Sequence, residues 1–187
     1  MSYFRDSETP RGIQRPQLAK VSLNLIRNPP FPKDRENGIT TLQLNALLII
    51  VNCAQQLVEQ QWERTGKAHW RAQATISYVL PVARLARYCG CKPKRLLTRL
   101  RRFTEPVGRI PMGRDRQQGL ITQHYPPPIA KFKQFTDNQG RQCVSITLNM
   151  PWVHTTDLFT EVPLNLPTGP NKCRRYLEQH NWCGGMS

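Results

Sequence analysis

The sequence predicts an α+β domain on three observations. An apolar run long enough for a buried helix follows Thr40, a pair of helix patterns flanks Gly90, and β-branched, period-two segments follow residue 117 with strong turn chemistry at Asp137–Gly140.

Residues 1–38 carry Pro10, Pro16, Pro29, Pro30 and Pro32 among Arg and Asn, a composition that buries little apolar surface. Val21, Leu23, Leu25 and Ile26 form a short apolar patch whose alternation suits one edge strand. The remainder is expected to be a flexible, basic, Pro/Arg-rich arm. Thr40 followed three residues later by Gln43 is a capping-box pattern. It opens a run through Leu42, Leu44, Leu47, Leu48, Val51, Ala54, Leu57 and Val58 whose apolar positions wrap nearly round the helix, so this helix belongs in the middle of the fold. Glu63 to Ala74 reads as a polar connection about Gly66, and Thr75 to Val79 as a short strand. Pro81 suits the first turn of the next helix, where its missing donor is harmless.

Beyond residue 117, Gly119 to Tyr125 and Ile129 to Thr136 read as strands separated by Pro126–Pro128. Asp137-Asn-Gln-Gly140 then supplies a turn into Arg141 to Leu148, which makes a hairpin. From Pro151 the chain is rich in Pro and Asn until a short helix pattern at Lys172 to His180.

The segment from Pro81 to Phe103 is the most informative. Leu85-Ala86 ends four residues before Gly90, which gives a small residue at a steep helix crossing and a glycine in the turn. Cys89 and Cys91 flank that glycine as small core-like thiols. Pro93 starts a second helix. At ~100° per residue, Leu96, Leu97, Leu100 and Phe103 fall in one arc of ~120°, and Lys94, Arg95, Thr98, Arg101 and Arg102 cover the opposite arc. Arg99 lies at the boundary. The order helix, strand, helix, turn, helix, hairpin is that of a winged helix-turn-helix. Residues 39–154 are expected to form it, with 1–38 as the arm and 155–187 as a C-terminal tail.

Charge points the same way. The chain holds 27 Lys and Arg against 12 Asp and Glu, a formal net charge of +15. Eleven cations lie between Arg84 and Arg116, opposed only by Glu105 and Asp115. Such crowding repels itself unless a polyanion is bound, so double-stranded DNA is the expected partner. The expected contacts are Lys92, Lys94, Arg95, Thr98, Arg99, Arg101 and Arg102 at the second helix, Arg114 and Arg116 after it, and Lys131, Lys133 and Arg141 on the hairpin.

Over residues 39–154 the sequence resembles the winged-helix replication initiators of iteron-type plasmids. The likeness rests on Ile39 to Ile50 as opening helix, Ile76 to Cys91 as strand and first helix, helix 93–103, and the hairpin around Asp137 to Gly140 leading into Val144-Ser-Ile-Thr-Leu-Asn-Met-Pro-Trp-Val153. The resemblance implies initiation of plasmid or mobile-element replication. Members of that family usually carry two tandem winged helices, whereas one is found here. A single one acting as a homodimer reads an inverted repeat. A transcriptional repressor of the same fold and an RNA-binding or structural nucleoprotein remain as alternatives; for the latter, Tyr125, Phe132 and Phe135 are the residues able to stack on bases.

Other classes find no support. Asp34, Glu36, Glu59, Glu63, Asp157 and Glu161 are scattered and do not form the clustered carboxylates of a two-metal nuclease. His69, His124, His154 and His180 are isolated, and no phosphate loop or Ser–His–Asp set is visible, so neither catalysis nor a small-molecule substrate is expected. Of the six cysteines, Cys89 and Cys91 are spaced too closely for a zinc pair, and Cys173 and Cys183 lie far apart; no metal or other cofactor is expected. Ala46 to Val51, the most apolar stretch, is bracketed by Gln43, Asn45, Asn52, Gln55 and Gln56 and is too short to span a membrane. Arg5 and Asp6 stand where a secretory signal would be apolar, so a cytoplasmic protein with reduced thiols and no membrane partner is expected.

Overall fold

In chain order the elements are β1 (Tyr3–Arg5), β2 (Leu18–Ser22), α1 (Thr41–Thr65), β3 (Thr75–Pro81), α2 (Val82–Tyr88), α3 (Pro93–Phe103), β4 (Arg109–Asp115), β5 (Gly119–His124), β6 (Ile129–Thr136), β7 (Gln142–Asn149), α4 (Met150–Val153) and β8 (Phe159–Pro163). The computed structural model describes residues 3–5, 12–22, 39–65, 73–105, 109–115, 119–124, 126–153 and 159–164. The expected helix at Lys172–His180 lies outside the described residues. The fold is mixed α+β. Its main sheet has the order β1-β3-β7-β6, with β3, β7 and β6 antiparallel and β1 added parallel to β3.

Helix α1 is the axis of the core. The capping box forms as its sequence requires: the Thr40 N–H donates to Gln43 Oε1 (2.8 Å) and the Gln43 N–H to Thr40 Oγ1 (3.2 Å). Ala46 to Val51, Cys53, Ala54, Leu57 and Val58 are all buried. The helix continues to Thr65, so the first residues of the expected polar connection are its last turn. Strand β3 turns Ile76, Tyr78 and Leu80 onto α1, and β7 turns Val144, Ile146 and Leu148 the same way. Tyr78 is fully buried, and its hydroxyl is satisfied by donating to the Ile50 carbonyl (3.0 Å). On the outer face of these strands, Ser77 Oγ and Thr147 Oγ1 lie 2.7 Å apart and satisfy each other.

Pro81 differs from expectation. It is the last residue of β3, opposite Cys143, and caps α2 with extended dihedrals (φ −57°, ψ 132°); Val82 takes the first helical position. A proline at the strand end loses no ladder bond and still holds the preceding residue extended.

The apolar core draws on residues to either side of 39–154. Strands β2 and β8 pair antiparallel, with Lys20 opposite Glu161, and Ile13, Ala19, Val21 and Leu164 join the core. Of the expected patch, Val21 lies in this strand, and Leu23, Leu25 and Ile26 lie outside the described residues. This segment is held to α1 by glutamines. Gln55, buried at 4% exposure, accepts from the Lys20 N–H (3.3 Å) and donates to the Lys20 carbonyl (2.8 Å). Gln56 does the same for Gln14, at 2.9 and 3.0 Å. A carboxamide carries one donor and one acceptor edge like a peptide, so each glutamine stands in for a neighbouring strand.

Strand β6 is an edge strand, and its register with β7 shifts between Ile129 and Lys131. Without the shift, strict alternation puts Lys131 and Lys133 on the core face with Ile129. With Ala130 as the extra residue, Phe132 pairs with Ile146 on the core face and both lysines turn outward.

Candidate nucleic-acid interface

The turn between α2 and α3 is built by Gly90. Its φ is +60°, and the Gly90 N–H donates to the Arg87 carbonyl (3.2 Å) while the Cys91 N–H donates to the Ala86 carbonyl (3.0 Å). These two bonds form a Schellman motif, which satisfies the last carbonyls of α2 and reverses the chain within three residues. Cys89 points inward, its Sγ 3.9 Å from the Ala46 carbonyl. Burial, with a smaller contribution from Cys91, pushes its thiol up to about 12 against the opposing pull of Arg99. Cys91 is half-buried, and its thiol is likewise raised by burial against Arg99 and Arg95. Both cysteines are therefore protonated packing groups.

Pro93 starts α3 after an extended Lys92 (φ −74°, ψ 150°). Leu96, Leu100 and Phe103 are buried and Leu97 is half-buried against the same core. Burying one such side chain is worth about 1.5–3 kcal/mol, which fixes the rotation of the helix. That rotation exposes Lys92, Lys94, Arg95, Thr98 and Arg101 and leaves Arg99 and Arg102 half-buried. No acidic residue lies in the first turn, so the positive end of the helix dipole adds to the cations. Among the described residues, Arg102 is the α3 cation that is ion-paired, with Glu105 one turn on. Thr98 Oγ1 donates to the Lys94 carbonyl (3.2 Å), so its hydroxyl proton is already engaged by the helix.

The hairpin β6–β7 is closed by Asp137, which accepts from the N–H groups of Gln139 (2.9 Å) and Arg141 (2.8 Å) and from Arg141 Nε (2.8 Å). Those bonds, the Arg141 N–H foremost, hold its carboxyl below the usual range. Arg141 is thus partly committed to the turn. Lys131 and Lys133 are exposed on the sheet face opposite the one that packs against the helices, and so do not share a face with the α3 cations. Phe132 packs on the core and Phe135 is half-buried, and Tyr125 lies outside the described residues. Arg114 lies in β4, and Arg116 lies outside the described residues.

Strand β4 and its pairing with β5 were not foreseen, because Pro111 and Gly113 break the β pattern of Arg109–Asp115. The turn expected at Asp137–Gly140 forms, with the Asp137 carboxylate accepting from the Gln139 N–H two residues on, as an Asx turn does. Among the described residues, no three His, Cys, Asp or Glu side chains gather to hold a metal ion. No helix among them is long and apolar enough to cross a membrane. Compared with known proteins, the chain matches no family model, no curated protein and no solved structure.

Proposed function

We propose that the chain is a sequence-specific binder of double-stranded DNA, acting as a winged helix-turn-helix whose α3 enters the major groove. The observation that carries this reading is the division of α3: an apolar side anchored in the core and, directly after a tight glycine turn, an exposed side of Lys94, Arg95, Thr98 and Arg101. The order of elements supports it, since α1, β3, α2 and α3 are followed by the hairpin β6–β7, with β7 lying between β3 and β6. Arg95 is early in the helix and exposed, and its planar fork suits a guanine edge. Lys131 and Lys133, on the outer face of the hairpin, suit phosphate alone. The setting we propose, from the resemblance to plasmid initiators, is the start of replication at a repeated site.

The test is site selection from random duplexes followed by titration against the selected and a scrambled duplex. Binding of the parent chain should weaken with salt at a log–log slope of about −4 or steeper, the release expected of at least about four phosphates. Arg95→Ala should lose about 1–3 kcal/mol on the selected site only, and Lys133→Ala should weaken both duplexes alike. Equal loss on both duplexes for Arg95→Ala removes it from base reading, and a flat salt response overturns DNA binding. For the replication setting, a plasmid carrying the selected site should persist only when the chain is supplied.

A further inference from the structure

Between α3 and β6 the chain builds a second ribbon. Strands β4 and β5 pair antiparallel, with Arg109 opposite His124, Ile110 opposite Gln123 and Pro111 opposite Thr122. The register then shifts past Met112, and Gly113 stands opposite Ile121, Arg114 opposite Leu120 and Asp115 opposite Gly119. In unbroken β structure, residues five apart fall on opposite faces. The extra residue restores the phase, so the register places Arg109, Arg114 and His124 on one face of the ribbon and Asp115 on the other. The one acidic residue of the two strands is thereby kept off the face that holds both arginines.

The edges of this ribbon are poor sites for another strand. Pro111 withholds a donor from β4, and the bulge bends it, two devices that discourage strand addition. A partner that bonds to cations has no such obstacle. The ribbon also springs from a fixed root. Pro126, Pro127 and Pro128 have no N–H to satisfy, and each of their carbonyls is taken: Pro126 by Trp152 Nε1 (2.8 Å), Pro127 by Asn149 Nδ2 (2.7 Å) and Pro128 by the Asn149 N–H (3.1 Å). One residue separates His124 from this anchored tripeptide, and Ile129 begins β6, the strand that packs against α3.

From this placement we propose that β4–β5 is a second DNA-contacting element, which sets Arg109 and Arg114 against phosphates outside the groove entered by α3. The inference rests on the duplex-binding reading above and extends it. A ribbon of this length spans roughly 20 Å, or about six base-pair steps along the duplex. The contact is to backbone, so it lengthens the footprint without adding base preference.

The test compares the full chain with its Arg109→Gln/Arg114→Gln and Arg109→Lys/Arg114→Lys variants on the selected duplex, by salt titration and hydroxyl-radical footprinting. The glutamine variant should have a slope shallower by roughly 2, the loss of two phosphate contacts. It should also lose protection of about six outer base pairs, with the central protection and the ranking of sequences kept. The lysine variant should restore both. Unchanged slope and footprint in the glutamine variant overturn the inference while leaving α3 as the reader. A lysine variant as weak as the glutamine one overturns it too, because charge is then not what the ribbon supplies. Tighter binding of the parent chain to structured RNA than to any duplex removes the duplex reading, and this inference with it.

Discussion

Replacing Gln55 by leucine separates what a buried amide does from what its volume does. Gln55 sits at 4% exposure on α1, accepts from the Lys20 N–H at 3.3 Å and donates to the Lys20 carbonyl at 2.8 Å, with a longer bond to the Val153 carbonyl at 3.4 Å. Leucine fills similar space but satisfies none of these groups. Lys20 is half-buried, so its stranded N–H and carbonyl fall toward the lower part of the usual penalty, about 1–2 kcal/mol each. The total is about 2–4 kcal/mol, or roughly 4–16 °C in Tm for a chain of this size. Gln56→Leu is the control. It breaks the same pair of bonds to Gln14, but at an exposed place where water replaces them, and should lose about 0.5–1 kcal/mol. Urea denaturation at constant m-value measures both, and hydrogen exchange should show the Lys20 amide deprotected in the Gln55 variant. Equal losses in the two variants, or a stabilised Gln55→Leu, would refute the idea that α1 holds the 12–20 segment by replacing a strand.

Two further outcomes follow from the same geometry. Leu100 is fully buried on α3, so Leu100→Ala should lose about 2–5 kcal/mol, while Arg101→Ala on the exposed side should leave stability nearly unchanged; thermal melts in the reverse order would mean the helix faces the other way. Asp137 has a depressed carboxyl in the folded state, so its contribution is complete above the ordinary carboxylate value near 4 and is lost as pH falls through the lower folded value. The Gln139 and Arg141 amides should therefore lose exchange protection on acidification below about pH 4, and Asp137→Ala should remove that step; protection unchanged down to about pH 2 would show that the turn does not depend on the carboxylate.

What the sequence disclosed is what period and punctuation encode. Thr40 and Gln43 marked the start of α1 because a capping box is local, and Pro93 and Gly90 marked α3 and its turn for the same reason. The arcs on α3 were legible because leucine and arginine alternate there at helical spacing, and Leu96, Leu100 and Phe103 are buried accordingly. Gln55 and Gln56 looked like polar interruptions of an apolar run. Their role depends on Lys20 and Gln14, more than thirty residues away, and nothing in the local pattern specifies a partner at that range. The same limit hid the pairing of β2 with β8: the apolar patch at Val21 suited an edge strand, but its partner lies about 140 residues on in a segment rich in Pro and Asn.

The cations on strands show a second kind of loss. A count of Lys and Arg says how much charge a segment carries, but a face is assigned only by the phase of the alternation, and one extra residue reverses that phase. Read by strict alternation, Arg109 and Arg114 fall apart and Lys131 and Lys133 fall on the face of Ile129. Each assignment is inverted by one bulge, at Met112 in β4 and at Ala130 in β6, both on strands that pair on one side only among the described residues, where an irregular residue breaks few ladder bonds. The bulge in β6 has a core reason, since it puts Phe132 rather than Lys131 against Ile146. In β4 the irregularity at Met112 sets the register alone, with Arg109 opposite His124 and Arg114 opposite Leu120.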